Sequence, residues 1–365
     1  MRTVRLCEVA DLTVGYVGTM AKHYVKKGVP FIRSLNVEPF KITQNDLKYI
    51  SPEFNDKLSK SKLHRGDVVI VRTGKPGACA VIPEEYEEIN CSDLVIVRPY
   101  PGKLDPLFLA CYINYSYRTV NAQLVGAVQQ HFNVRVAGNL EINLPPISKQ
   151  KQIAKIIRCL NEKIQVNEAI NENLAQQAQA IYADIFITNA DPAWPLGHLS
   201  DLITVRYGKD HKKLADGPFP VYGSGGVMRY VDRPIYEKES VLIPRKGTLN
   251  NVMYVNEPFW SVDTMFFTEM KLPDVAKFVF HFVKSKDLAS LNAGSAVPSM
   301  TTDILNAMEL CIPDSETLKR FESIVGPMYR AMQHNTVESK KLAAVRETLL
   351  PRLMSGELDV SNLDL

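Results

Sequence analysis

From residue 153 onward, apolar residues recur at alternating steps of four and three. Ile153, Ile157, Leu160 and Ile164 come first, then Asn167 and Asn171, then Leu174, Ala178, Ile181 and Ile185. This spacing is a heptad seam, an apolar stripe on a helix that packs against a partner along its length. Shifted by 168 residues, the pattern returns as Phe321, Val325, Met328, Met332, Asn335, Ser339, Leu342, Arg346, Leu349 and Leu353. Arg346 against Ala178 is the one poor match. The polar interruption falls at the same place in both copies, so the chain contains a tandem repeat.

Each helix runs about 40 residues, or about 60 Å at 1.5 Å per residue. Neither is apolar all round, so each needs a partner, and the nearest candidate is the other copy. Residues 191–313 leave the end of the first helix and return to the start of the second. If that segment is compact, the helices are antiparallel, Asn171 approaches Asn335, and Asn167 approaches Ser339. A polar layer of this kind penalises a shifted register. The alternative is that the asparagines face water and Ile170 takes over the seam.

The segments before the helices repeat as well. Residues 11–18 (DLTVGYVG) resemble 201–208 (DLITVRYG), and 70–74 (IVRTG) resemble 243–247 (IPRKG), at offsets of 190 and 173. The shrinking offset makes the second globule about 20 residues shorter, with most of the loss between Phe31 and Val68. Short Val/Ile-rich runs at 67–72, 78–82, 93–98, 240–245 and 252–255 are broken by turn residues and read as strands. A helix is expected after each set, at 106–123 and 274–287. The expected fold is α+β: two β-rich domains alternating with two long helices paired as an antiparallel coiled coil, a pseudo-two-fold internal repeat. The boundaries are 1–145, 146–190, 191–313 and 314–360.

Composition narrows the function. No run of about 18 apolar residues exists, so no membrane span is expected, and the N-terminus lacks the apolar core of a signal peptide. The six cysteines are scattered without a CxxC pair, which suits a reducing, cytoplasmic setting and gives no metal site. There is no phosphate-binding GxxxxGK[ST] loop, no paired-His metal motif and no Asn/Asp-Pro-Pro-aromatic stretch, so no enzyme activity or cofactor is expected. Net charge is only +3. Residues 1–145 hold 18 Lys/Arg against 14 Asp/Glu, and residues 191–313 hold 13 against 14. Any contact with nucleic acid must therefore rest on local clusters.

Such clusters exist in the loops, which mix basic, amide and aromatic residues. Arg can bridge guanine O6/N7, Gln and Asn can bridge adenine N6/N7, and Lys can hold phosphate. The candidate DNA contacts are Lys22, Lys26, Lys27, Arg72, Lys75, Gln129, Gln130 and His131 in the first globule. Lys209, Lys212, Lys213, Arg229, Arg245, Lys246 and Asn250 are those of the second. Gly74 and Gly247 are read as turn formers, and Trp194 and Trp260 as core residues.

Two β-rich globules, each followed by a long helix, with 144–150 reading LPPISKQ and glycine–alanine approaches GAV at 126–128 and GSAV at 294–297, resemble the specificity subunit of type I restriction-modification systems. The second helix opening, CIPDSE at 311–316, departs from the pattern, lacking the double proline and the glutamine. The resemblance implies a non-catalytic subunit that binds double-stranded DNA. Each globule would read one half of a split target, and the helix pair would fix the gap and dock two methyltransferase subunits. Those subunits would bring S-adenosylmethionine and flip out an adenine, and an ATP-driven restriction subunit would join them. Two other readings compete with this one: a coiled-coil scaffold that does not read DNA, and a recognition subunit of a related DNA-modifying complex.

Overall fold

A computed structural model of the chain describes residues 2–74, 76–123, 132–291 and 299–360. It divides into two compact units, one of Met1–Asn167 with Thr336–Leu365, the other Glu168–Asn335. The long helices, Ile147–Ala183 and Ser315–Ser355, each contribute one half to each unit.

The first unit is built on a four-stranded antiparallel sheet in the order Cys79–Val81, Val68–Val71, Leu94–Pro99, Ala10–Val14. The central strands are unbroken apolar runs over Val68–Val71 and Leu94–Val97 because both faces are covered there. Val68, Ile70, Val95 and Val97 join a core with Phe108, Leu109 and Ile113 of the helix Pro106–Gln123. That core runs on into Ile153, Ile157, Leu350 and Leu353 of the long helices. Val69, Val71, Leu94 and Ile96 face the other way, onto Ile32, Leu63 and Ile89 of a five-stranded sheet. In that sheet Val29–Ile32 and Ile89–Cys91 run parallel.

The second unit repeats the plan. Its sheet has the order Met253–Val255, Ser240–Pro244, Met265–Met270, Ile203–Tyr207. Val241, Ile243 and Phe266 pack with Phe278 and Val279, and this core continues into Ala178, Tyr182, Phe321 and Val325. Leu242, Met265 and Phe267 line the opposite face. The second sheet has only three strands, Gly226–Val231, Phe219–Gly223 and Trp260–Ser261, the last two again parallel. The first unit's extra elements include the hairpin Val37–Glu38/Lys41–Ile42, the helix Pro52–Lys57 and the strand Lys62–Leu63, all between Phe31 and Val68.

Register corrects one detail of the sequence alignment. The Gly15 amide donates to the Leu94 carbonyl at 2.8 Å and the Gly208 amide to the Met265 carbonyl at 3.0 Å. Gly15, not Gly18, is therefore the counterpart of Gly208. The reason is steric: a Cβ on Gly15 would lie 2.7 Å from Cys91 Sγ, and one on Gly208 would strike the carbonyl oxygens of Ser261 and Val262.

The helix pairs are antiparallel within each unit. In the first, Arg346 Nη1 donates to Asn161 Oδ1 at 2.6 Å, and six residues further along the first helix Asn167 Nδ2 donates to Ser339 Oγ at 3.2 Å. Asn167 also donates to Glu338 Oε2 at 2.7 Å. In the second unit, Asn335 Nδ2 donates to Asn171 Oδ1 at 3.0 Å, Asn171 Nδ2 donates to the Met332 carbonyl at 3.1 Å, and Tyr182 packs on Phe321. Asn167 is buried while Ile170 is 43% exposed, so the amide rather than the isoleucine occupies the seam. Arg346, the mismatch in the repeat, also lays its guanidinium over the Phe40 ring at 5.0 Å.

The two helix starts are anchored differently. Gln150 is buried; its Nε2 donates to the carbonyls of Lys103 and Pro145 and its Oε1 accepts from the Asp105 amide. In the other copy Asp314 accepts from the Thr317 amide and hydroxyl at 2.8 and 2.9 Å and from Trp194 Nε1 at 3.1 Å. These bonds hold the Asp314 carboxyl down at about 2. An aspartate N-cap thus stands where the first copy has its glutamine clamp.

Candidate nucleic-acid interface

Antiparallel pairing decides which loops share an edge. In the first unit, strands Ala10–Val14 and Val68–Val71 end, and strand Leu94–Pro99 begins, at the same side of the sheet, so residues 15–28, which include the short strand Tyr24–Val25, residues 72–74 and residues 92–93 leave together. In the second unit, loops 208–218, 245–252 and 262–264 do the same. The turn at 223–226 joins the second set, because Asn251 Nδ2 donates to the Ser224 carbonyl at 2.8 Å. The loops after Val68–Val71 and Ser240–Pro244 each turn at a glycine with φ of +85°, Gly74 and Gly247, a conformation that a side chain disfavours.

The described candidate residues fall into two groups, with Arg245 between them. Lys22, Lys26, Lys27, Lys209, Lys212, Lys213 and Lys246 are exposed. Three others are committed internally. Arg72 Nη1 donates to Asp93 Oδ1 at 2.6 Å. Arg229 holds loop 208–218 through Asp216 Oδ1 at 2.7 Å and the Leu214 carbonyl at 3.0 Å. Asn250 donates to Asp287 Oδ1 at 2.9 Å and accepts from the Ala289 amide at 3.0 Å. Arg245 stands between these groups: its guanidinium lies 5.4 Å from the centre of the Tyr207 ring. Lys75, Gln129, Gln130 and His131 lie outside the described residues. The polar-layer residues Asn167, Asn171, Asn335 and Ser339 lie in the helix pairs, away from these loops in the chain. Trp260 is buried in the second core and donates to the Lys209 carbonyl at 2.9 Å; Trp194 packs on Phe186.

The sequence did not single out three residues that organise the edge. Tyr207 ends its strand 51% exposed, its ring edge-on to Phe266. Asp93 neutralises Arg72, and Ser224 receives Asn251. An aromatic residue directly before a glycine at a strand end was the available signal for Tyr207. The described parts of the edges carry exposed Lys ammonium groups at Lys22, Lys26, Lys27, Lys209, Lys212, Lys213 and Lys246. Among the described residues, no group of three or more His, Cys, Asp or Glu side chains could hold a metal ion, and no helix is long and apolar enough to cross a membrane.

Comparison with known proteins agrees with the repeat. The family model for the type I restriction modification DNA specificity domain matches residues 1–176 and again 193–341. The MjaVIII type I restriction enzyme specificity subunit of Methanocaldococcus jannaschii is 19% identical over 96% of this chain and 88% of its own length. The HindI type I restriction enzyme specificity subunit of Haemophilus influenzae is 30% identical over 92 residues, which is 25% of this chain and 18% of that protein. Among solved structures, the S subunit of a type I restriction-modification system from M. genitalium shares the fold, with a TM-score of 0.61 and 17% identity over 99% of this chain and 96% of that one.

Proposed function

Because the chain belongs to the type I restriction modification DNA specificity family, we propose that it is the DNA-recognition subunit of such a complex, reading a split target with one half-site per domain. The observation that carries this reading is the duplicated loop edge: two sheets of the same strand order release equivalent sets of loops, and each set includes exposed lysines. In this reading the subunit is cytoplasmic, performs no chemistry and holds no cofactor. Two methyltransferase subunits dock on the helix pair and bring S-adenosylmethionine, and an ATP-driven restriction subunit joins them.

The division of labour follows from the residue types. Lysines at the edges attract phosphate without regard to sequence, so affinity falls as salt rises. Arg and amide side chains in the same loops discriminate bases, each good bidentate pair contributing roughly 1–3 kcal/mol. The helices run continuously from one unit into the other, so their length lies on the covalent path between the two reading edges.

Co-expression of the full chain with its methyltransferase subunit, followed by mapping of methylated adenines, tests the proposal. The expected result is a motif of two short specified blocks separated by an unspecified gap of fixed length. Methylation without sequence preference, or at one continuous block, contradicts it.

A further inference from the structure

Arg72 and Arg245 occupy the same station in the two domains. Each follows a strand whose last residue pairs with the start of the neighbouring strand, Val71 with Leu94 and Pro244 with Met265. Two residues further on, each loop turns at a glycine with φ of +85°. Their surroundings nonetheless differ. Arg72 donates to the Asp93 carboxylate at 2.6 Å, and Thr73 Oγ1 lies 3.5 Å from the second carboxylate oxygen. The charge is neutralised in place, and the fork faces an acceptor the protein itself supplies.

Arg245 forms no ion pair among the described residues. Among the described residues, the one hydrogen bond of its side chain is a long contact from Nη1 to the Asp263 carbonyl at 3.4 Å. What orients it is Tyr207, whose ring is pinned edge-on to the buried Phe266 with centroids 5.0 Å apart. The guanidinium rests against that ring, so it is positioned without spending its donors. Exposed Lys209 and Lys246 flank it in sequence on the two loops involved. A planar fork of unspent donors, held at an edge between lysines, matches the paired O6 and N7 acceptors of guanine in a major groove.

We propose that Arg245, presented by Tyr207, is a specificity-determining residue that reads a guanine in the half-site of the second domain, whereas Arg72 is scaffold. This rests on the reading given under Proposed function. The test uses the full chain in complex with its methyltransferase subunits, with motif mapping and binding to duplexes carrying each base at every specified position. Arg245→Ala is expected to lose the requirement for guanine at one position of one half-site. Discrimination there should fall by roughly 10- to 100-fold, with the other half-site unchanged. Tyr207→Leu should weaken the same position only, and Arg72→Ala should lower the thermal midpoint and leave the motif intact. A wild-type complex that shows a split motif while Arg245→Ala retains every specified base would overturn this proposal alone. So would an Arg245→Ala complex that loses affinity equally for all sequences, since that is phosphate contact. A wild-type complex with no split motif would remove the reading beneath it as well.

Discussion

His281 sits fully inside the second unit, on the helix Ala276–Lys284, and has no carboxylate partner among the described residues. Its Nδ1 lies 2.8 Å from Gln179 Oε1 and its Nε2 2.9 Å from the Tyr329 hydroxyl. Burial raises the Tyr329 pKa, so that hydroxyl keeps its proton and donates to Nε2, which leaves Nδ1–H for Gln179. The neutral ring satisfies both bonds without burying a charge. Burial, with Lys284 adding, lowers the His281 pKa from 6.5 to about 4. A base whose folded pKa lies below its unfolded value binds its proton more readily unfolded. Its contribution is therefore complete above about pH 6.5 and is lost as pH falls towards 4. The loss should reach roughly 3 kcal/mol. Urea denaturation of wild type and His281→Gln between pH 7.5 and 4.5 checks this. The wild type should lose stability more steeply, and parallel curves would show that the ring is already charged when folded.

The neighbouring Lys277 shows a second way of burying a polar residue. Its side chain is only 4% exposed, and its ammonium meets Glu322 Oε1 at 2.8 Å and Glu239 Oε1 at 3.1 Å, with Tyr254 and Tyr329 rings beside it. Lys277 and His281, one helical turn apart, tie the second domain to both long helices within that unit. In the first unit neutral amides do the tying: Asn114 holds the helix Pro106–Gln123 to the Cys79 amide and carbonyl of the sheet, and Gln150 holds the start of the long helix to the backbone of Lys103 and Asp105.

At the scale of elements, what could be read from sequence was whatever depends on period. The steps of four and three marked the seam residues, and the shared interruption placed Asn335 beside Asn171 and Ser339 beside Asn167. The runs at 67–72, 93–98 and 240–245 were legible as strands because two covered faces demand stretches rich in Val, Ile and Leu. Illegible were the contacts set by whichever backbone groups tertiary folding brings near. Arg72 finds Asp93 twenty-one residues away, and Gln150 reaches Lys103 and Asp105 across more than forty. The three-residue slip between Gly15 and Gly18 has the same origin, since only the folded sheet reveals which glycine must admit a neighbouring backbone. The glutamine of the LPPISKQ stretch acquires a physical meaning here, as a clamp that satisfies three backbone groups at the point where domain becomes helix. Gln150→Ala should therefore cost on the order of 3 kcal/mol, because buried donors and acceptors are left without partners. The denaturation midpoint reports the loss; a change within about 0.5 kcal/mol would mean that those groups are hydrated without the glutamine.

At the scale of the whole molecule, duplication explains why one chain carries two loop edges of the same plan and two long helices with the same polar break. The copies have since diverged: among the described residues, the second lacks the elements that the first carries between Phe31 and Val68, exchanges a glutamine clamp for an aspartate cap, and leaves Arg245 without a carboxylate partner where Arg72 is neutralised. Divergence of that kind suits two domains that read different half-sites from a common frame.

The central claim is that two independent readers are spaced by the long helices. Inserting four residues next to Asn167 adds about 6 Å of helix, against 3.4 Å per base pair of DNA. The most direct measurement is the methylated motif of a complex carrying this insertion, mapped beside the wild type. The account predicts the same two half-sites with a gap one or two base pairs longer. An active complex that methylates the original motif with its gap unaltered would contradict it.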